Sequence, residues 1–243
     1  KAADEGGEFA KQALVLAGMS WAKAGEGKKA EKYLRKYLQQ HPGGENYPQA
    51  ASTLVSLLAE RKNYAEARDV LNTAMQQDAD NKASYRLQNA RLFSMQGETD
   101  RAKKALRKII ESKNEDAAGV AALELARILR QQGETARAGQ MYERAAKLSA
   151  SQGITSSALF NAGATYHRAK KHEKAVSIFA QLLEKYPQYD LVNKARLLAG
   201  LSAFNVAEYQ LAANHLKEVD YGLLSEADAS SLVTALCLTY YRQ

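Results

Sequence analysis

One six-residue pattern returns six times along the chain, each time closing on an alanine, and it constrains the fold more than any other feature. The string Gly25-Glu26-Gly27-Lys28-Lys29-Ala30 returns as Gly97-Glu98-Thr99-Asp100-Arg101-Ala102 and as Gly133-Glu134-Thr135-Ala136-Arg137-Ala138. Versions without the leading glycine are Lys62-Asn63-Tyr64-Ala65-Glu66-Ala67, Lys170-Lys171-His172-Glu173-Lys174-Ala175 and Ala207-Glu208-Tyr209-Gln210-Leu211-Ala212. The alanines stand at 30, 67, 102, 138, 175 and 212, separated by 37, 35, 36, 37 and 37 residues. A fixed period of roughly 20–50 residues marks an array of stacked supersecondary units.

Each alanine needs a physical reason. Five residues upstream of each lies a Gly, a Lys or an Ala, at a polar break between two apolar-periodic segments. Such a break reads as a tight helix-helix turn, with the alanine on the first turns of the second helix. A small side chain there lets two antiparallel helices approach closely, and a larger one would cost about 1–3 kcal/mol by overpacking. Nine residues before the alanines come Trp21, Leu58, Phe93, Leu129, Tyr166 and Ala203, mostly large residues that wedge between the paired helices. Three residues before those lie the mostly small Gly18, Val55, Ala90, Ala126, Gly163 and Gly200. Four after the alanines come Leu34, Leu71, Leu106, Tyr142, Phe179 and Leu216, placed by the helical period on one buried face. Pro42 and Pro187, each twelve residues past an alanine, mark ends of second helices.

With this register the sequence resembles the tetratricopeptide repeat family over about residues 11 to 243. Phe93, Gly97, Gly133, Ala102 and Ala138 carry the likeness well. Arg86 and Asn89 depart from it at positions usually apolar, Ala203 replaces an aromatic, and four repeats lack the proline. The expected fold is all-α, a right-handed superhelical solenoid of about six and a half helix-turn-helix repeats. The repeats fall at about 11–46, 48–82, 83–118, 119–155, 156–192 and 193–229, with a partial repeat at 230–243 and residues 1–10 as the end of a preceding element or a cap. Tyr240 stands 37 residues after Ala203 and Cys237 stands 37 after Gly200, so the last segment reads as another first helix and the native protein is expected to continue.

Composition narrows the function. The net charge is +7, but cations and anions alternate, as in Lys28-Lys29-Ala30-Glu31-Lys32, which marks solvated helix faces rather than a nucleic-acid surface. The one cysteine, Cys237, excludes a disulfide framework and a Cys-rich zinc site, and at a small-residue position it reads as a packed thiol. The four histidines form no His-Glu-x-x-His pattern; His167 and His172, five apart, are expected on different sides of a helix or across a turn. No acid-base pair or nucleophile constellation stands out, so neither catalysis nor a cofactor nor a metal is expected.

The resemblance implies that the first helices of successive repeats line a concave surface. On that basis the inner positions include Arg91 in the third repeat and Glu124, Arg127 and Arg130 in the fourth. Asn161, His167 and Arg168 follow in the fifth, and Lys194, Leu197, Leu201 and Phe204 in the sixth. This predicts a groove with a basic centre and an apolar C-terminal end, suited to a protein or peptide segment bearing acidic and hydrophobic residues. The competing reading has Arg91, Arg127 and Arg130 solvated and paired with Glu124, and Leu197, Leu201 and Phe204 packed on a neighbouring repeat. One ligand site of the family, a carboxylate clamp for a chaperone C-terminus, does not carry over. In the best register, Leu123, Arg127, Asn161, Lys194 and Leu198 face it, and only Asn161 and Lys194 match. The expected function is a non-catalytic protein-protein interaction scaffold, or else a regulatory or docking region of a larger enzyme or of a bacterial secretion or polysaccharide-export machine. The stretch Phe179 to Tyr189 resembles repeats of bacterial cell-envelope proteins, which leans the expected location toward the periplasm or outer membrane, with the cytoplasm as the alternative.

Overall fold

The structure is a computed structural model that describes residues 2–112 and 115–242, with side-chain surroundings from 11–112 and 117–242. All of its regular structure is helical among the described residues, as thirteen α-helices and one 3-10 turn. The chain divides into two units, 1–109 and 110–243. The first contains α1 (Ala2–Lys23), α2 (Gly27–Gln40), α3 (Tyr47–Glu60), α4 (Tyr64–Gln77), α5 (Lys82–Met95) and α6 (Thr99–Ile110), whose final residue opens the second unit. The second contains α7 (Glu115–Gln131), α8 (Thr135–Leu148), α9 (Gln152–Arg168), α10 (His172–Lys185), α11 (Val192–Asn205), α12 (Tyr209–Lys217) and α13 (Glu226–Arg242). The 3-10 turn, Tyr221–Leu223, precedes α13. The division expected at residue 10 falls inside α1.

The turn that joins each helix pair has one geometry. The residue five before each repeat alanine adopts a left-handed backbone: Gly25, Gly97 and Gly133 at φ 76°, 83° and 78°, and Lys62, Lys170 and Ala207 at 60°, 57° and 61°. The next backbone N–H reaches back to the carbonyl of the wedge residue, as from Glu26 to Trp21 (2.9 Å), Glu98 to Phe93 (2.8 Å), Glu134 to Leu129 (2.9 Å) and Lys171 to Tyr166 (2.9 Å). This is the helix-ending bond of a Schellman motif, which a left-handed residue makes possible. That same residue's carbonyl then accepts from the alanine N–H, for example Glu134 from Ala138 at 2.9 Å, so one helix ends and the next begins within three residues.

The alanines at 30, 67, 102, 138, 175 and 212 are all fully buried, and so are Leu34, Leu71, Tyr142 and Phe179 four residues on. The charged residue just before an alanine folds over the wedge aromatic: Lys29 Nζ lies 4.4 Å from the Trp21 ring, Arg101 5.1 Å from Phe93 and Lys174 5.3 Å from Tyr166. Cations at the turn thus cover aromatic faces in water, a use of charge that needs no ligand.

Tyrosines of first helices also reach back to an acid at the end of, or within, the preceding helix. Tyr85 Oη donates to Asp78 at 2.6 Å, and Tyr166 Oη donates to Glu143. Within the first unit, residues of α2 to α5 such as Leu34, Leu54, Leu71 and Tyr85 form one buried cluster. Within the second, α13 lies against α11 and α12, and Leu197, Leu216, Val219, Leu232 and Ala235 form another.

Two expectations at the C-terminal end need correction. Cys237 is exposed rather than packed, because its side of α13 has no helix over it among the described residues. Tyr240 is 48% exposed, with Lys217 5.2 Å from its ring, instead of wedging between paired helices.

Candidate partner-binding groove

In the second unit the first helices α7, α9 and α11 lie side by side, and a cavity of about 660 Å³ opens along them. Arg130 enters it from the end of α7. Asn161, His167 and Arg168 enter from α9, Lys170 and His172 from the turn into α10, and Lys194 and Asn205 from α11. Phe160, Ala164 and Leu198 supply its apolar wall. Four arginines and lysines border this cavity and no aspartate or glutamate does, so its field favours anions.

The polar side chains are held from behind. Asn161 Nδ2 donates to the Ser157 carbonyl and Asn205 Nδ2 to the Leu201 carbonyl, both at 2.7 Å, which leaves one amide hydrogen of each to donate onward. Ser202 is fully buried and donates to the Leu198 carbonyl at 2.7 Å. Its oxygen therefore accepts from His167 Nδ1–H, 2.8 Å away, and this fixes the neutral tautomer of His167. The His167 and His172 rings meet edge to face, 5.4 Å apart. Burial, then His172, then the cations Arg168 and Lys194 hold the His167 pKa below its ordinary value. Lys194 makes an ion pair with Asp228 of α13, and its hydrogen bond is the main reason the Asp228 carboxyl titrates below its usual range.

Of the residues expected to bind a partner, Arg130, Asn161, His167 and Lys194 converge on this cavity. Arg127 and Glu124 lie on α7 outside its lining, Arg127 exposed and Glu124 half-buried. Leu197 is 1% exposed and belongs to the core, and Leu201 packs against that core. Phe204 stacks with Tyr209 at 5.7 Å. Of the apolar end of the expected groove, Leu197 is interior, whereas Leu201 and Phe204 are half-buried. Arg91 lies in the first unit, on a separate cleft of about 500 Å³ between α3 and α5, beside Met95 and a Gln88–Ser52 hydrogen bond of 2.8 Å.

Sequence reasoning did not select Lys170, His172 or Asn205. Lys170 sits in the interhelical turn, where a reading by helical faces finds only linker, and His172 opens α10, a second helix, whereas the expected groove is drawn from first helices. Asn205 was findable: Lys194, Leu198, Leu201 and Asn205 follow the spacing of one helix face. Among the described residues no group of three or more His, Cys, Asp or Glu side chains is placed to hold a metal ion. None of the described helices is long and apolar enough to cross a membrane.

Comparisons with known proteins follow the repeat register. Three family profiles, each described as tetratricopeptide repeat, match residues 22–91, 87–112 and 118–188, together more than half of the chain. No curated protein matches the sequence. Among solved structures the chain is similar to BtubC (BKLC) from P. vanneervenii, at 16% identity and a TM-score of 0.60, over 88% of this chain and 90% of that one. It is similar to PilF of Pseudomonas aeruginosa at 16% identity and a TM-score of 0.59, over 96% and 99% of the two chains. It also resembles YrrB, described as a TPR protein with an unusual peptide-binding site, at 16% identity and a TM-score of 0.51, over 86% and 96%. Likeness at such low identity concerns the fold alone. The profile matches over successive stretches of the chain, together with the six equivalent turns, make this chain a member of the tetratricopeptide repeat family.

Proposed function

We propose that this chain captures an acidic segment of a protein partner in the groove formed by α7, α9 and α11. Its repeats make it a protein-protein interaction scaffold. The finer reading rests on one observation: Arg130, Arg168 and Lys170 gather around a single cavity whose lining holds no carboxylate, with Lys194 beside them in an ion pair with Asp228. Guanidinium groups recognise carboxylates in bidentate fashion, and the spare amide hydrogens of Asn161 and Asn205 add neutral donors beside them. Phe160 and Leu198 give an apolar side chain of the segment a place to rest. The peptide-binding site ascribed to YrrB supports a peptide as the class of ligand.

The test is a calorimetric titration of the chain with a short Asp-rich peptide, in low and in physiological salt. Arg130→Glu with Arg168→Glu should lower affinity by about tenfold or more and flatten the salt dependence. Arg144→Glu with Lys147→Glu, exposed positions on α8 that change the net charge equally, should change affinity less than about twofold. Equal losses in the groove variant and the α8 variant would reduce the attraction to net charge alone and overturn the reading.

A further inference from the structure

We propose that capture of the acidic segment is coupled to uptake of a proton at His167, so that the groove tightens on acidic partners as pH falls below neutral. This rests on the reading of the groove given above.

The geometry behind it is a histidine with one nitrogen committed and one open. Ser202 is buried, its own proton is given to the Leu198 carbonyl, and so it can only accept from His167 Nδ1–H. The next proton must go on Nε2. His172, the ring's nearest titratable neighbour, has a buried Nδ1 with no hydrogen-bond partner among the described residues. Of the two rings, His167 is the one whose tautomer is fixed by a partner, Ser202, so that its next proton goes to a defined nitrogen.

The groups around the pair set the sign. Arg168 comes from the same helix, Lys170 from the turn, Arg130 from α7 and Lys194 from α11. The carboxylates on the packed elements are engaged elsewhere or turned to water. Asp228 is on Lys194, Glu143 on Tyr166 and Glu218 on Arg196 at 3.1 Å, and Glu173 is exposed. Glu124 of α7 lies outside the cavity lining. With the groove empty, burial, then His172, then Arg168 and Lys194 disfavour the charged form of His167. A bound carboxylate supplies the missing negative charge, favours the imidazolium, and gives Nε2–H an acceptor. Proton binding and ligand binding then reinforce one another by linkage. Affinity rises as pH falls through the bound-state titration and levels off once the free groove also protonates.

The experiment is titration with the Asp-rich peptide, whose carboxylates stay ionised across the range, at about pH 7.5 and about pH 5.5. Each titration is run in two buffers of different ionisation heat, so that proton uptake is read directly. The wild-type chain should bind about three- to tenfold tighter at the lower pH, with net proton uptake. His167→Gln keeps a donor for Ser202; whatever its affinity at about pH 7.5, it should lose the pH slope and the proton uptake. His172→Gln should keep most of both. Binding without a slope or uptake in the wild type, or a slope that survives His167→Gln, overturns the inference and leaves the groove reading standing. No binding at either pH overturns both. Since proton uptake is measured on the unaltered chain, a poorly folded variant does not shield the inference.

Discussion

Gly163 of α9 lies so close to Phe179 of α10 that a Cβ built on the glycine would stand 2.8 Å from Cε1 of the buried Phe179 ring. Gly200 stands in the same relation to Leu216, 2.5 Å from its Cγ, and Gly18 to Leu34. In these three repeats the glycine three before the wedge position meets the large residue four after the alanine, and the closeness of the pair sets the closeness of its helices.

From that relationship, Gly163→Ala and Gly200→Ala should each destabilise the chain by about 1 kcal/mol. Overpacking of about 1–3 kcal/mol outweighs the roughly 1 kcal/mol that alanine gains over glycine within a helix. Thermal unfolding followed by circular dichroism checks this, and a melting temperature unchanged or raised in both variants would contradict the packing described.

The left-handed turns predict the opposite sign. Lys62, Lys170 and Ala207 hold a conformation that L-residues adopt at a cost of about 1–2 kcal/mol, part of which glycine returns as unfolded-state entropy. Lys62→Gly and Ala207→Gly should each stabilise by about 0.5–1 kcal/mol without touching the groove. Lys170→Gly should stabilise similarly and also weaken the Asp-rich peptide, since that lysine borders the cavity. Denaturant melts and peptide titration on the same samples separate the two effects.

Tyr85 and Asp78 give a pH-dependent contribution in the first unit. Partial burial pushes the Asp78 carboxyl up, but hydrogen bonds from Tyr85 and Asn81 more than offset it, so Asp78 titrates below its ordinary value. A depressed carboxyl stabilises the fold above its unfolded pKa, and the contribution is lost as pH falls through the folded one. Tyr85→Phe should therefore cost about 1 kcal/mol at neutral pH, and that cost should shrink as pH falls through the Asp78 titration. A cost that does not vary with pH would assign the loss to packing alone.

The helical hairpins were legible because a packing constraint leaves a residue behind: the six alanines, fully buried, mark where helices meet. The turn geometry was legible at Gly25, Gly97 and Gly133 and hidden at Lys62, Lys170 and Ala207, where the surrounding helices impose a conformation that the side chain does not advertise. The groove was half legible. Arg130, Asn161, His167 and Lys194 follow from repeat position, whereas the ion pair of Lys194 with Asp228 depends on how α13 packs, which periodicity does not encode. Leu197 and Leu201 read as groove because helical spacing places a residue on a face without saying what covers it.

The central claim, an acidic segment held along α7, α9 and α11, is tested most directly by mapping the Asp-rich peptide onto the isotopically labelled chain by NMR. The account predicts that the Asn161 and Asn205 side-chain amides and the His167 ring shift and saturate together, while the exposed amides of Gln140 on α8 and Gln181 on α10 stay still. Shifts concentrated on Gln140 and Gln181, with Asn161, Asn205 and His167 unmoved, would contradict it.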